Sequence, residues 1–221
     1  MKRSEVNRDK LSPGMKQYME IKDQYVEELL FFRLGDFYEL FFEDALITSR
    51  ELELTLTSKN AGLDERVPMC GVPFHSVKPY IEKLVEKGYK IAICEQLEDP
   101  KYAKGMVKRG VIQVISKGTV VDYEMLKEYD NNYIGSVLDY TNLYTITYAD
   151  ISTGSLYVMD LPKNDDKLIS TILNLGLKEI ILYDNLNVDL INTLHNNYGI
   201  EISYSDKYLE DKYEYLYKDL K

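Results

Sequence analysis

The chain of 221 residues holds only two cysteines, Cys70 and Cys94, and only two histidines, His75 and His195. So small a set builds neither a disulfide framework nor a zinc site, and both thiols read as small buried side chains. The isolated histidines read as packing or capping residues. No Gly-x-x-x-x-Gly-Lys-Ser/Thr string occurs, which removes the phosphate-cradling loop of a nucleotide hydrolase. No apolar run approaches a membrane span, and no apolar segment follows the charged residues 1–10. The expectation is a soluble, cytoplasmic protein without a signal peptide. Positive charge is in deficit too: 27 Lys+Arg face 37 Asp+Glu, a net charge of −10. Such a balance disfavours non-specific nucleic-acid binding, in which phosphate neutralisation supplies most of the affinity.

The deficit is uneven, and its distribution argues for two domains. Residues 1–125 carry 19 Lys+Arg against 21 Asp+Glu, whereas 126–221 carry 8 against 16. Tyrosine shifts as well, with 14 of 20 after residue 122. From Lys101 to Val121 there is no acidic residue, while Lys101, Lys104, Lys108, Arg109 and Lys117 supply five positive charges. This segment reads either as a phosphate-contacting stretch or as a solvated loop and edge strand.

What the chain does have is an aromatic-rich run, Leu29–Leu34, broken by Gly35 and followed by Asp36-Phe37-Tyr38-Glu39-Leu40-Phe41. The run suits a buried strand. Asp36 and Glu39 form a capping-box pair, which predicts a helix starting at Asp36 with Tyr38, Phe41, Phe42, Ala45 and Leu52 on its inner stripe. Phe37 falls at the edge of that stripe and Glu39 off it. Two readings stand side by side: packing residue and cap, or an apolar wedge that enters a base step with a carboxylate beside it to accept a base hydrogen bond.

The stretch Phe32–Ala45, FRLGDFYELFFEDA, resembles the signature of the MutS DNA mismatch repair family, whose Phe-x-Glu element corresponds to Phe37-Tyr38-Glu39. Three further segments resemble the same family in the same order: VPMCGVPFHS at 67–76, IAICEQLEDP at 91–100, and Lys104-Gly105 through Lys117-Gly118-Thr119. Ala149–Gly154, ADISTG, is similar to its second, connector domain. The resemblance implies recognition of mismatched double-stranded DNA by Phe37 and Glu39, with Lys59, Met69, Lys104, Lys108 and Arg109 as candidate backbone contacts. It implies no cofactor in this chain, because ATP and Mg²⁺ belong to the ATPase region of full-length members. Those members form dimers, engage other repair proteins and continue for several hundred residues, so the chain is expected to stop within its connector. Phe37 and Glu39 cannot both be helical if they address one base, since residues two apart on a helix point about 200° apart. Phe37 is therefore expected at or before the first turn.

The fold class expected is α/β: a mixed-sheet N-terminal mismatch-recognition domain over 1–121, a linker at 122–132, and a partial ribonuclease-H-like connector over 133–221. In the first domain, helices are expected at 12–29 and from Ser76 to about Gly88, strands at 30–34, 53–57, 90–95 and 110–116, and a loop over 58–75. In the second, strands at 133–140, 143–150 and 155–161, a helix at 165–175, a strand at 180–183, a helix at 188–197 and a strand at 200–204 give the order β-β-β-α-β-α-β. The stretch 205–221 alternates charge and tyrosine without a firm period. Asp139, Asp150 and Asp160 near the ends of successive strands leave a metal-dependent nuclease as an alternative, which requires convergent carboxylates. A protein-docking scaffold in the acidic half is the third reading.

Overall fold

The computed structural model describes residues 2–98, 105–119, 133–182 and 186–205. It divides into two compact units, Met1–Lys117 and Gly118–Lys221. The expected linker at 122–132 and the stretch 206–221 lie outside the described residues.

In the first unit the elements are α1 (Pro13–Lys22), β1 (Leu29–Leu34), β2 (Phe37–Phe41), α2 (Phe42–Leu52), β3 (Thr57–Lys59), β4 (Val67–Pro73), α3 (Lys78–Glu86), β5 (Ile91–Gln96) and β6 (Arg109–Ile115). They form a six-stranded mixed sheet, order β3-β4-β2-β1-β5-β6, in which β1 runs parallel to β5 and every other pair is antiparallel. One face packs Leu30, Phe32, Phe41 and Cys94 against Met15, Tyr18 and Met19 of α1. Tyr18 sits edge-on to both Phe32 and Phe41. The opposite face alternates in register, burying Tyr38, Leu40, Cys70 and Val72, and buried Ala45, Ile81, Leu84 and Val85 come from α2 and α3. Burial pushes the Cys70 and Cys94 thiols up to about 12, so both are inert packing groups.

Several local expectations fail here, each for a tertiary reason. Residues 37–41 are a strand. Gly35, at φ 59°, turns the chain so that Leu34 pairs with Phe37, and β2 lies back on β1. The helix begins only at Phe42, whose φ of 53° swings the chain directly from strand into helix. Leu40, off the expected helical stripe, is fully buried, as a period of two demands. Helix α1 ends at Lys22 because that side chain turns inward: its ammonium meets Asp44 at 2.9 Å and the carbonyls of Val26 and Glu28. Val26, inside the helix expected over 12–29, lies beyond the end of α1 and is exposed.

The strand expected at 53–57 forms at Thr57–Lys59, after Glu53 closes α2 in the left-handed region. The loop expected at 58–75 contains β4, which bridges β2 and β3; Pro68 and Pro73 lie at its ends, where a missing N–H is tolerated. Ser76 does not cap α3: its hydroxyl bonds the Pro73 carbonyl and Val77 is the N-cap.

The second unit follows the expected element order: β7 (Tyr133–Asp139), β8 (Leu143–Asp150), β9 (Ser155–Pro162), α4 (Asp165–Leu175), β10 (Leu177–Leu182), α5 (Val188–Asn192), continued by a π-helical turn over Thr193–Asn197, and β11 (Glu201–Tyr204). The first three strands form an antiparallel meander, and β10 and β11 extend it in parallel on the β7 side, giving the order β11-β10-β7-β8-β9. A meander followed by helix-linked parallel strands is the ribonuclease-H-like arrangement. Asn164 caps α4 by accepting from Lys167 N. Val137, Ile146, Leu161, Leu168, Ile172, Ile180 and Leu194 share its core.

Candidate nucleic-acid interface

Because β2 is extended, Phe37, Glu39 and Phe41 project from one face and Tyr38 and Leu40 from the other. Phe41 is buried under α1, whereas Phe37, next to the hairpin turn, is 46% exposed. Glu39 lies between them, its side chain 17% exposed. The strand thus carries a core aromatic, a carboxylate and a projecting aromatic on one line, spaced by about 7 Å. The geometric conflict of a helical Phe-x-Glu disappears, since residues two apart on a strand point the same way.

The hairpin is held stiff from the other face. Arg33 of β1 places its guanidinium 3.4 Å from the centroid of the Phe74 ring, donates to the Gly35 carbonyl at 2.5 Å and pairs with Glu95 at 3.3 Å. The Tyr38 hydroxyl donates to the same Glu95 carboxylate, and burial together with that bond raises its pKa. Phe74 N donates to the Asp36 carbonyl at 3.0 Å. The two turn residues preceding Phe37 are therefore each anchored through a carbonyl.

Opposite Glu39 on β4 is Gly71. A Cβ there would sit 3.2 Å from the Tyr38 carbonyl, tighter than ordinary contact, so glycine lets β4 lie close against β2 beside Glu39. The Gly71, Arg33 and Phe74 roles were missed from sequence.

The other expected contacts divide. Met69 is half-buried on the Phe41 row and packs on the core. Lys59 extends over the same face and its ammonium meets Glu39 Oε2 at 2.5 Å. Lys108 is exposed. Arg109 is half-buried and spent internally, donating to Arg33 O, Gln17 Oε1 and Val107 O at 2.7–3.0 Å, with its guanidinium over Phe32 and its pKa lowered by burial. Lys104 lies outside the described residues.

A family model described as MutS domain I matches residues 12–124. The chain belongs to the MutS family. It is 51% identical over 212 residues to the DNA mismatch repair protein MutS of Clostridioides difficile, covering 93% of this chain and 22% of that protein. It is 48% identical over 200 residues to that of Bacillus licheniformis, covering 90% and 23%, and 50% identical over 193 residues to that of Listeria welshimeri, covering 87% and 22%. The chain thus spans under a quarter of the length of these MutS relatives.

The nuclease alternative meets a geometric obstacle in the second unit. Asp139 pairs with Tyr144, and Asp150 lies six residues further along the same strand, about 20 Å away at 3.4 Å per residue. Asp160 pairs with Thr145, one row on and so on the opposite face from Asp139. Two-metal chemistry needs carboxylates that converge on ions about 4 Å apart. Each aspartate also has a local partner: Lys163 for Asp139, Ser152 for Asp150, Thr145 for Asp160. Among the described residues no cluster of three or more His, Cys, Asp or Glu could hold a metal ion. No helix among them is long and apolar enough to cross a membrane.

Proposed function

We propose that the first unit recognises mismatched or unpaired bases in duplex DNA, with Phe37 as an apolar wedge and Glu39 as a hydrogen-bond acceptor for the displaced base. The observation that carries this reading is the common direction of the two side chains from one anchored strand. A wedge has to be exposed, rigid and next to its acceptor, and these are the properties of Phe37 on the β1–β2 hairpin. Mismatched steps stack and pair poorly, so kinking them costs less than kinking a perfect duplex, and discrimination arises from deformability. Phe37 is already about half covered, so burying the rest of it in a base step returns only about 1 kcal/mol, at the bottom of the roughly 1–6 kcal/mol range for bending a site. The wedge alone therefore succeeds only where the DNA is already weak.

On this reading the chain is a binding module, and ATP and Mg²⁺ chemistry belongs to other regions of the longer relatives. Fluorescence anisotropy with a G·T duplex and its matched counterpart tests the function. Tighter binding to the G·T duplex is expected, and equal binding to both refutes it.

A further inference from the structure

The Glu39–Lys59 pair is built across an unusual span. On the shared face, Lys59 stands on the Val67 row, Met69 and Phe41 form the next row, and Gly71 and Glu39 the one after. Lys59 thus crosses the intervening row, its ammonium 5.6 Å from the Phe41 ring centroid, to end 2.5 Å from Glu39 Oε2. Glu39 Oε1 makes no hydrogen bond among the described residues. One carboxylate oxygen is thus fixed and the other is left without a hydrogen bond among the described residues, on a side chain that keeps 17% of its surface exposed.

We propose that Lys59 is a positioning and charge-compensating residue for Glu39 and not a phosphate contact. This rests on the mismatch-recognition reading. A bare carboxylate entering a groove lined by phosphates is repelled by every duplex, matched or not. Lys59 cancels that charge locally and, by binding Oε2, holds the carboxylate so that Oε1 faces the displaced base. A charge-assisted bond in a half-buried setting orients its acceptor more firmly than a neutral one. The long reach over the Phe41 ring makes the lysine part of the site's wall, which a freely solvated phosphate contact would not need.

The test uses the 221-residue chain with G·T and matched duplexes in a salt series, comparing Lys59→Met, Glu39→Ala, the double variant and Phe37→Ala. Lys59→Met is expected to cut the ratio of mismatched to matched affinity by roughly threefold or more, to the level of Glu39→Ala, consistent with the loss of a charge-assisted bond. The double variant should lose no further preference, and it should recover the affinity for both duplexes that the bare carboxylate costs in Lys59→Met. A phosphate contact gives the opposite pattern: an unaltered preference, with an equal loss on both duplexes that adds to the effect of Glu39→Ala and is not restored by it. That pattern, or an unaltered preference in Lys59→Met, overturns the proposal. If Lys59→Met does not fold, Lys59→Gln replaces it and is expected to lose part of the preference; full retention overturns the proposal equally. Phe37→Ala and the unaltered chain separate the two ideas: a preference that survives Phe37→Ala refutes the wedge role of Phe37, and equal binding of both duplexes by the unaltered chain refutes the mismatch reading itself.

Discussion

Phe37 and Phe41 lie four residues apart on one strand and should respond to alanine in opposite ways. Phe41 is 1% exposed beneath Tyr18, so Phe41→Ala should cost about 3–5 kcal/mol of stability. Phe37 is 46% exposed, so Phe37→Ala should barely move the thermal midpoint while abolishing mismatch preference. A large drop in midpoint for Phe37→Ala would return it to the core. Glu39→Gln keeps an acceptor and loses the charge, whereas Glu39→Ala loses both. The first should therefore retain more of the preference than the second in paired binding titrations, and equal effects on matched and mismatched duplexes would leave Glu39 without a reading role.

The elements are tied to one another by two very different electrostatic devices. Lys22 and Asp44 are both almost wholly buried, and besides each other they hold the carbonyls of Val26 and Glu28 and the amide of Leu30. The pair fixes where α1 stops and where β1 starts against α2. Removing one partner strands a buried charge, so Asp44→Ala should destabilise by about 3 kcal/mol or more in chemical denaturation.

The second device is at the surface. Lys87 near the end of α3 bonds both the carboxylate and the carbonyl of Glu51 in α2, and Arg50 and Tyr89 bond the same carboxylate. Lys87 first, then Arg50, pulls this carboxyl down to about 2 from an ordinary 4.5. A depressed carboxyl contributes stability above its unfolded value and loses it on protonation. The contribution should therefore be complete above about pH 4.5 and fade as pH falls toward 2, by a small amount because the site is solvent-screened. Glu51→Gln should flatten that part of the stability–pH curve, and an unchanged curve would remove Glu51 as its source.

At the scale of the whole chain, charge and length set the affinity. A net charge of −10 opposes approach to DNA, and a single recognition unit lacks the gain in effective concentration that further gripping domains provide. The chain should bind a mismatch at micromolar strength or weaker, with a small negative salt slope, and nanomolar binding by a monomer at physiological salt would contradict this. The acidic second unit should cleave no single-stranded, duplex or hybrid substrate in Mg²⁺ or Mn²⁺. Cleavage abolished by Asp139→Asn or Asp150→Asn would reverse that expectation, despite the separation of these carboxylates at opposite ends of the β7–β8 pair.

The sequence by itself determined the elements whose periodicity and caps agree. In the second unit α4 fills the span its apolar stripe marks, between Asn164 and Gly176, and the alternating strand 143–150 matches its pattern because it buries Tyr144 and Ile146 on one face. It also carried the family resemblance that singles out Phe37 and Glu39 as a pair. Only the tertiary structure decided how they are presented. Five residues of aromatic and acidic character satisfy a helical cap and a strand equally well, and the choice was made by β1 and β4 on either side, which offer hydrogen-bonding edges that an isolated segment lacks. The same non-local pairing turned an apparent proline-containing loop into β4, set Gly71 opposite Glu39 and brought Lys59 to it from 20 residues away. Such contacts depend on register between strands distant in sequence, and register is a property of the assembled sheet.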